Sequence, residues 1–170
     1  MRKVTLALSA ALGLCVLAQT ATAQMKPWQF GPEVSLGTNN VGPAIGARAV
    51  FNGLGAATKV TGLAAYASFD YFFPSSSFGV SPSYWEINVD GTWDIPNMTG
   101  QFKPYVGAGI DYGHTSVTVT GFGSGSASNT GLNILGGTHF NPTPKLNLFG
   151  EVRIELRTSS IVAFTVGILF

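Results

Sequence analysis

Few residues in this chain could do chemistry by themselves. His114 stands two positions before Ser116, close enough in sequence for an imidazole to take the proton of a hydroxyl nucleophile in acyl transfer. Such a base needs a third group to orient its ring. Val117 rather than Asn directly follows Ser116, no acidic residue occurs between Ser116 and Glu151, and Gly/Ser-rich sequence follows in their place. His114 therefore reads as a surface polar residue at the start of a loop. His139 lies too far along the chain, with no third ligand beside it, to make a metal site. Gly121, Gly123 and Gly125 have a spacing that could cradle phosphate, but no strand-to-helix context follows them. The sequence thus offers no catalytic residue, no metal site and no cofactor site.

The remaining polar chemistry is ionic, and its spacing is regular. Glu86, Asp90 and Asp94 share parity in one segment, as do Glu151, Arg153 and Glu155 in another. A helix would scatter these groups around its girth, whereas a strand aligns them on one face. The same parity takes in Glu33, Arg48, Asp70 and Asp111 within their own segments. All eight acidic residues and two arginines therefore fall on polar faces, while Lys26, Lys59, Lys103 and Lys145 lie in the leader or in connections.

The elements that carry these faces read as strands with a period of two. The segments are 30–37, 44–51, 63–73, 84–95, 104–113, 131–140, 146–156 and 161–170. Opposite the charges they set Val34 and Leu36; Ile45, Ala47, Ala49 and Phe51; Phe69, Tyr71 and Phe73; Trp85, Ile87, Val89 and Trp93; Val106, Ile110 and Tyr112; Leu132, Ile134 and Phe140; Leu148, Val152 and Ile154; and Val162, Phe164, Val166, Ile168 and Phe170. Gly, Thr, Ser and aromatic residues dominate, so helices are not expected. The stretch "GFGSGSASNTG" at 121–131 reads as flexible, linker-like loop.

Alternation alone leaves open which face is outside. A soluble, lipocalin-like barrel would turn the apolar set inward around a ligand. The distribution of charge favours the inverse: lysines are absent from the strands, and charged residues make up only 10% of the chain, too few to cover a soluble domain of this size. If the apolar face meets lipid, every backbone group must pair within a closed sheet, and eight strands close around a lumen that side chains can fill. The sequence predicts an all-β, eight-stranded, antiparallel up-and-down transmembrane β-barrel with a polar, plugged interior. Gly46, Gly107, Gly109 and Gly137 would give the interior charges room. Trp28, Phe51, Phe73, Trp85, Trp93 and Phe140 would form aromatic girdles near the strand ends.

The first residues set the compartment. Arg2 and Lys3, the apolar "VTLALSAALGLCVLA" and the small residues of "ATA" read as a cleaved secretory signal peptide over 1–23, leaving 24–170 as one domain. Leu14 before Cys15 argues against lipidation, and residues 24–170 contain no Cys, so disulfides cannot hold the fold. Removing Arg2 and Lys3 from nine basic residues leaves seven against eight acidic ones, which gives no footprint for nucleic acid.

The segments "KPYVGAGIDYG" (103–113), "GLNILGGTHF" with "NPTPK" (131–145), "LNLFGEVRIEL" (146–156) and the terminal "AFTVGILF" (163–170) resemble the small outer-membrane β-barrel proteins of the OmpA membrane-domain and OmpX type. The resemblance implies a non-enzymatic, monomeric structural or interaction barrel in the outer membrane. Lipid would surround it, both termini and the lysine-bearing connections would face the periplasm, and the outward loops would make surface contacts with a ligand the sequence does not name. It also implies that Phe164, Val166, Ile168 and Phe170 are read by the barrel-assembly machinery. The alternatives are a narrow cation-leaky pore, a soluble lipocalin-like carrier, and a lipid A deacylase using His114 and Ser116.

Overall fold

The computed structural model describes residues 27–76, 79–96, 100–143 and 146–170; the expected signal peptide lies outside them. Eight strands follow one another in chain order: β1 Trp28–Gly37, β2 Gly42–Phe51, β3 Leu63–Phe72, β4 Val80–Asp94, β5 Phe102–Val119, β6 Gly123–Thr143, β7 Leu146–Leu156 and β8 Ile161–Leu169. Each pairs antiparallel with its neighbour, and β1 closes on β8 through the register Glu33↔Gly167 to Gly37↔Ala163. The Phe170 amide extends this seam by donating to Phe30 O at 3.0 Å. Closure leaves no edge within the barrel wall, which is how a sheet satisfies all its backbone groups without water.

Turn chemistry fits the topology. Asn39 and Asn40 take left-handed conformations (φ 56° and 64°), which Asn tolerates better than most residues, and they reverse the chain between β1 and β2. The Asn39 side chain donates to Ser160 O, tying this turn to the β7–β8 connection. One element departs from the all-strand expectation. A single helical turn, α1 Leu54–Thr58, occupies the β2–β3 connection and ends at Lys59 in the left-handed region (φ 61°). Leu54-Gly-Ala-Ala-Thr58 has no alternation to pair, and Thr58 Oγ1 closes the turn on Leu54 O at 2.8 Å.

The larger correction is at the far end from the termini. The stretch 121–131, read from sequence as linker, is strand for most of its length: Gly123–Gly131 pairs with Val119–Asp111 in unbroken register. Ser and Gly carry no core signal, so the segment is invisible to a period-two search. Its partner strand carries the β-branched Thr115, Val117, Thr118 and Val119, and Gly121 (φ 83°) and Gly123 (φ 109°) make the tight turn. β3 pairs with β4 only as far as Phe72↔Tyr84, and β7 with β6 only as far as Leu132↔Leu156. Beyond those points β4, β5 and β6 continue as a three-stranded sheet projecting past the rim.

Candidate functional site

Alternation along each strand sends one set of side chains into the barrel. That set includes Glu33, Arg48, Asp70, Glu86, Asp90, Asp111, Glu151, Arg153 and Glu155, each at most 4% exposed. The opposite set is apolar and exposed, from Phe30, Val34 and Leu36 on β1 to Phe164 and Val166 on β8. A soluble lipocalin has these faces reversed.

The interior charges form two connected groups. In the first, Arg48 Nε donates to Glu33 Oε2 at 2.7 Å, and its Nη atoms grip both oxygens of Glu151 at 2.8 and 2.9 Å. Tyr66 and Tyr105 add hydroxyl donors to the same carboxylate at 3.0 and 2.8 Å. The guanidinium also lies 4.0 Å from the Tyr66 ring centroid and 4.3 Å from that of Phe149. In the second group, Arg153 Nη2 meets Glu86 Oε1 at 2.6 Å and Asp70 Oδ2 at 3.6 Å, and its Nε donates to Glu155 Oε1 at 3.2 Å. Arg153 Nη1 lies 3.8 Å from Glu151 Oε1 and so joins the two groups.

Sequence reasoning missed a third cation. Arg157 reaches Asp111 Oδ1 at 3.1 Å and Glu86 Oε2 at 3.3 Å, and also contacts Glu155. It follows Leu156, the end of the alternating segment, yet shares the parity of Arg153 and Glu155; extending the period by one step would have found it. Asp94 departs from the others named with it. It is half-buried at the termini end of β4, near His139 and Lys103, outside both charged groups.

Two apolar clusters close the ends of the charged interior, which the reading of a polar, plugged interior did not name. At the termini end Val50, Tyr66, Tyr105, Leu135, Phe149 and Leu169 pack together. At the opposite end Ala44, Phe72, Tyr84 and Ile161 do so. The interior is therefore sandwiched between apolar stoppers, which does not favour an open ionic path. Glycines give the room expected of them: a Cβ at Gly46 or Gly109 would run into the carboxylate of Asp70 or Asp90, and one at Gly137 would lie 2.6 Å from the Tyr105 ring. At Gly107 it would lie 2.6 Å from Gly91 O.

The six girdle residues fall at two heights. Trp28, Phe51, Trp93 and Phe140 stand at the termini end, with Trp28 and Phe51 in contact at 4.7 Å and Phe140 stacked on Phe102 at 4.7 Å. Phe73 and Trp85 stand toward the other end, Phe73 against Tyr71 at 5.3 Å and Trp85 against Tyr112 at 5.8 Å. From Phe102 to Tyr112 along a strand tilted by about 40°, the belts are about 25 Å apart, the height of a lipid-facing band. In β8, Phe164 and Val166 are exposed, while Ile168 and Phe170 are half-buried on the same outward face.

Polarity inverts just above the upper belt. Along β5 the outward residues Val106, Ile110 and Tyr112 give way to His114, Ser116 and Thr118, while the inward ones change from Asp111 to Thr115, Val117 and Val119. β4 does the same, from outward Trp85 to Ser83 and Ser81 and from inward Glu86 to Pro82 and Val80. In β6 every residue from Gly123 to Thr130 is exposed. The extension carries no formal charge. His114 sits at its base, with Nδ1 2.9 Å from Ser128 Oγ and its ring stacked on Trp85 at 5.3 Å. Ser116 is thus not its partner. Every carboxylate among the described residues lies inside the barrel or at the termini end, so none orients this imidazole. His139 faces inward at the termini end, 4.8 Å from the Tyr105 ring, with no hydrogen-bond partner at Nδ1.

No family model matches the chain, and no curated protein matches it in sequence. Solved structures do match its shape. Neisserial surface protein A (NspA) aligns with a TM-score of 0.64 at 14% identity, covering 85% of this chain and 96% of that one. The N-terminal β-barrel domain of Pseudomonas aeruginosa OprF gives 0.59 at 13%, covering 84% and 97%. Ail, the attachment invasion locus protein of Yersinia pestis, gives 0.56 at 17%, covering 84% and 96%, and has also been solved with the heparin analogue sucrose octasulfate. The fold is that of the small outer-membrane barrels.

Proposed function

We propose that this chain is a non-enzymatic barrel of the outer membrane, anchored by its apolar wall, with its β4–β5–β6 extension as the part that meets other molecules. The observation that carries this reading is the double reversal of polarity. Between the aromatic belts the wall is apolar outside and ionic inside, as lipid requires; above the upper belt the outward face becomes hydroxyl-rich, as water requires. Lys59 and Lys103 at the termini end and the long extension at the other support a periplasmic placement of both termini. The outward face of β8, with Phe170 held against β1, is the surface we assign to recognition by the barrel-assembly machinery. The chain would work as a monomer, since its wall closes on itself.

The uncharged extension also says what kind of contact to expect. A polyanion such as the one bound in the Ail structure needs Lys or Arg, and the extension offers neither. Its hydroxyls, amides and backbone suit a neutral, hydrogen-bonding partner. A test of the reading is to refold residues 24–170 in detergent, compare boiled with unboiled samples on a gel, and fractionate cells expressing the full chain. The expected result is heat-modifiable mobility with the protein in the outer membrane. A stable, soluble fold without detergent would overturn it.

A further inference from the structure

Above the rim, β4, β5 and β6 form a sheet with two open edges, and the two are finished differently. The Asn141 amide donates to Gln101 O at 3.0 Å, one step beyond Phe102↔Phe140 in the same register. Odd-numbered residues of β6 therefore exchange backbone bonds with β5, and even-numbered ones turn their N–H and C=O groups to the opposite side. From Leu132 downward that side is β7; above it, Ser124, Ser126, Ser128 and Thr130 face no strand among the described residues. The same alternation along β4, set by the Ile95 amide on Pro104 O, puts Pro82 at a position whose N–H would point out of the sheet. Proline has none, so the β4 edge is blunted in the way natural sheets protect their edges. The β6 edge has no Pro, no charge and no bulge, and every residue from Gly123 to Thr130 is exposed.

A free edge of this kind takes up another extended strand through main-chain hydrogen bonds, with specificity left to side-chain pockets. This edge has no pockets to offer, since Gly123–Ser128 contains only Gly, Ser and Ala. A foreign strand would find nothing there to select it. An identical strand would meet small residues throughout and no like charge. Space beside the edge is open as well: β7 ends at Leu156, β8 starts at Ile161, and β1 and β2 are joined by an equally short turn, so the neighbouring wall stops at the rim. The β7–β8 turn limits how far down a second strand can run, because Thr158, two residues beyond Leu132↔Leu156, stands level with Thr130.

We propose that β6 pairs antiparallel with β6 of a second copy of this chain, about a two-fold axis at Ser126. This register sets Ser126 against Ser126, Ser124 against Ser128 and Gly125 against Ala127. It satisfies the edge-facing groups of all three serines while the tip of each copy clears the other's β7–β8 turn. An antiparallel pair carries its two barrels at opposite ends, so the copies sit in facing membranes and each stays a monomer in its own. The inference rests on the extension lying outside the membrane, as proposed above, and names its partner. One pair held by so few main-chain bonds is weak, and surfaces that each carry many copies add their pairs together.

The test uses residues 24–170, which contain no Cys, refolded in detergent with Gly125→Cys in one preparation and Ala127→Cys, lengthened by a tag, in another. A Cβ at Gly125 meets nothing within 4 Å, so the substitution fits. Odd-numbered residues face each other here without main-chain bonds, at about 4.5 Å between Cα atoms, which is within reach of a disulfide; like positions are offset along the strands. On mild oxidation of the mixture, the mixed disulfide dimer should exceed either homodimer several-fold. Ser126→Pro added to both removes an N–H that points away from β5, so heat-modifiable mobility should remain and the excess should vanish. Mixed dimer no more abundant than the homodimers would overturn the proposal in favour of random collision, as would an excess that survives Ser126→Pro. The first comparison decides even if Ser126→Pro fails to refold. A heat-modifiable barrel in the outer membrane that shows no mixed-dimer excess would remove the self-pairing and leave the anchored-barrel reading standing.

Discussion

Replacing Glu151 by Gln should expose how dry the interior is. Glu151 accepts two bonds from Arg48 at 2.8 and 2.9 Å and two more from Tyr66 and Tyr105. Gln keeps the volume and one carbonyl oxygen for a tyrosine, but whichever way the amide turns, an NH2 group meets a donor. Arg48 keeps Glu33 at 2.7 Å, so its charge is halfway compensated rather than abandoned. Removing one partner of a buried ion pair costs about 3–5 kcal/mol, and the remaining Glu33 contact places this case at about 3 kcal/mol. The assay is urea unfolding of the barrel in lipid vesicles, read by the fluorescence of Trp28, Trp85 and Trp93, all on the outward face. With Arg48→Met already present, the charged donor that Gln opposes is gone and only a tyrosine hydroxyl, which can rotate to accept, faces the NH2 group; Glu151→Gln should then cost only about 1 kcal/mol, a coupling of about 2 kcal/mol. If Glu151→Gln changed stability by less than about 0.5 kcal/mol, the interior would be screening its charges as bulk water does, and the sealed-core reasoning would be refuted.

Other outcomes follow from the two faces and the extension. Ile134→Lys, in the middle of the lipid-facing band, should destabilise the barrel in vesicles by about 2–4 kcal/mol, while Thr118→Lys on the outward face of the extension should be near neutral; equal effects would deny the boundary between them. Deleting Phe170 removes the amide that bonds Phe30 O and should lower the yield of assembled barrel in cells, and normal yield would count against a terminal signal. Ser126→Cys in intact cells should react with a membrane-impermeant maleimide, whereas Thr58→Cys should not until the outer membrane is permeabilised. The reverse pattern would invert the orientation.

The barrel is legible in the sequence because a period of two is a direct consequence of strand geometry, and charge parity distinguishes inside from outside. β7, with Glu151, Arg153 and Glu155 against Leu148, Val152 and Ile154, came out with the bounds it has in the fold. Legibility failed wherever the pairing, not the side chains, defines the strand. Gly123–Thr130 holds its place through the ladder to β5 and has nothing to bury, so composition alone made it a linker. Inward apolar residues such as Phe72, Leu135 and Phe149 were hidden for a different reason: a polar face tolerates large apolar groups at its two ends, and only the closed register brings Phe72 against Tyr84 or Phe149 against Arg48. Which carboxylate meets which arginine is likewise set by strands far apart in sequence, as with Arg153 and Glu86.

The central claim is that the wall turns its apolar residues to lipid up to the Tyr112 belt and its hydroxyls to water above it. Spin labels placed one at a time at residues 124–135 of β6, with the barrel in vesicles, measure this directly through their accessibility to oxygen and to a water-soluble nickel chelate. The labels at 132 and 134 should favour oxygen, those at 133 and 135 should be shielded from both, and those at 124, 126 and 128 should favour the chelate. Oxygen-rich environments at 133 and 135, or a lipid signature continuing to 124, would contradict the account.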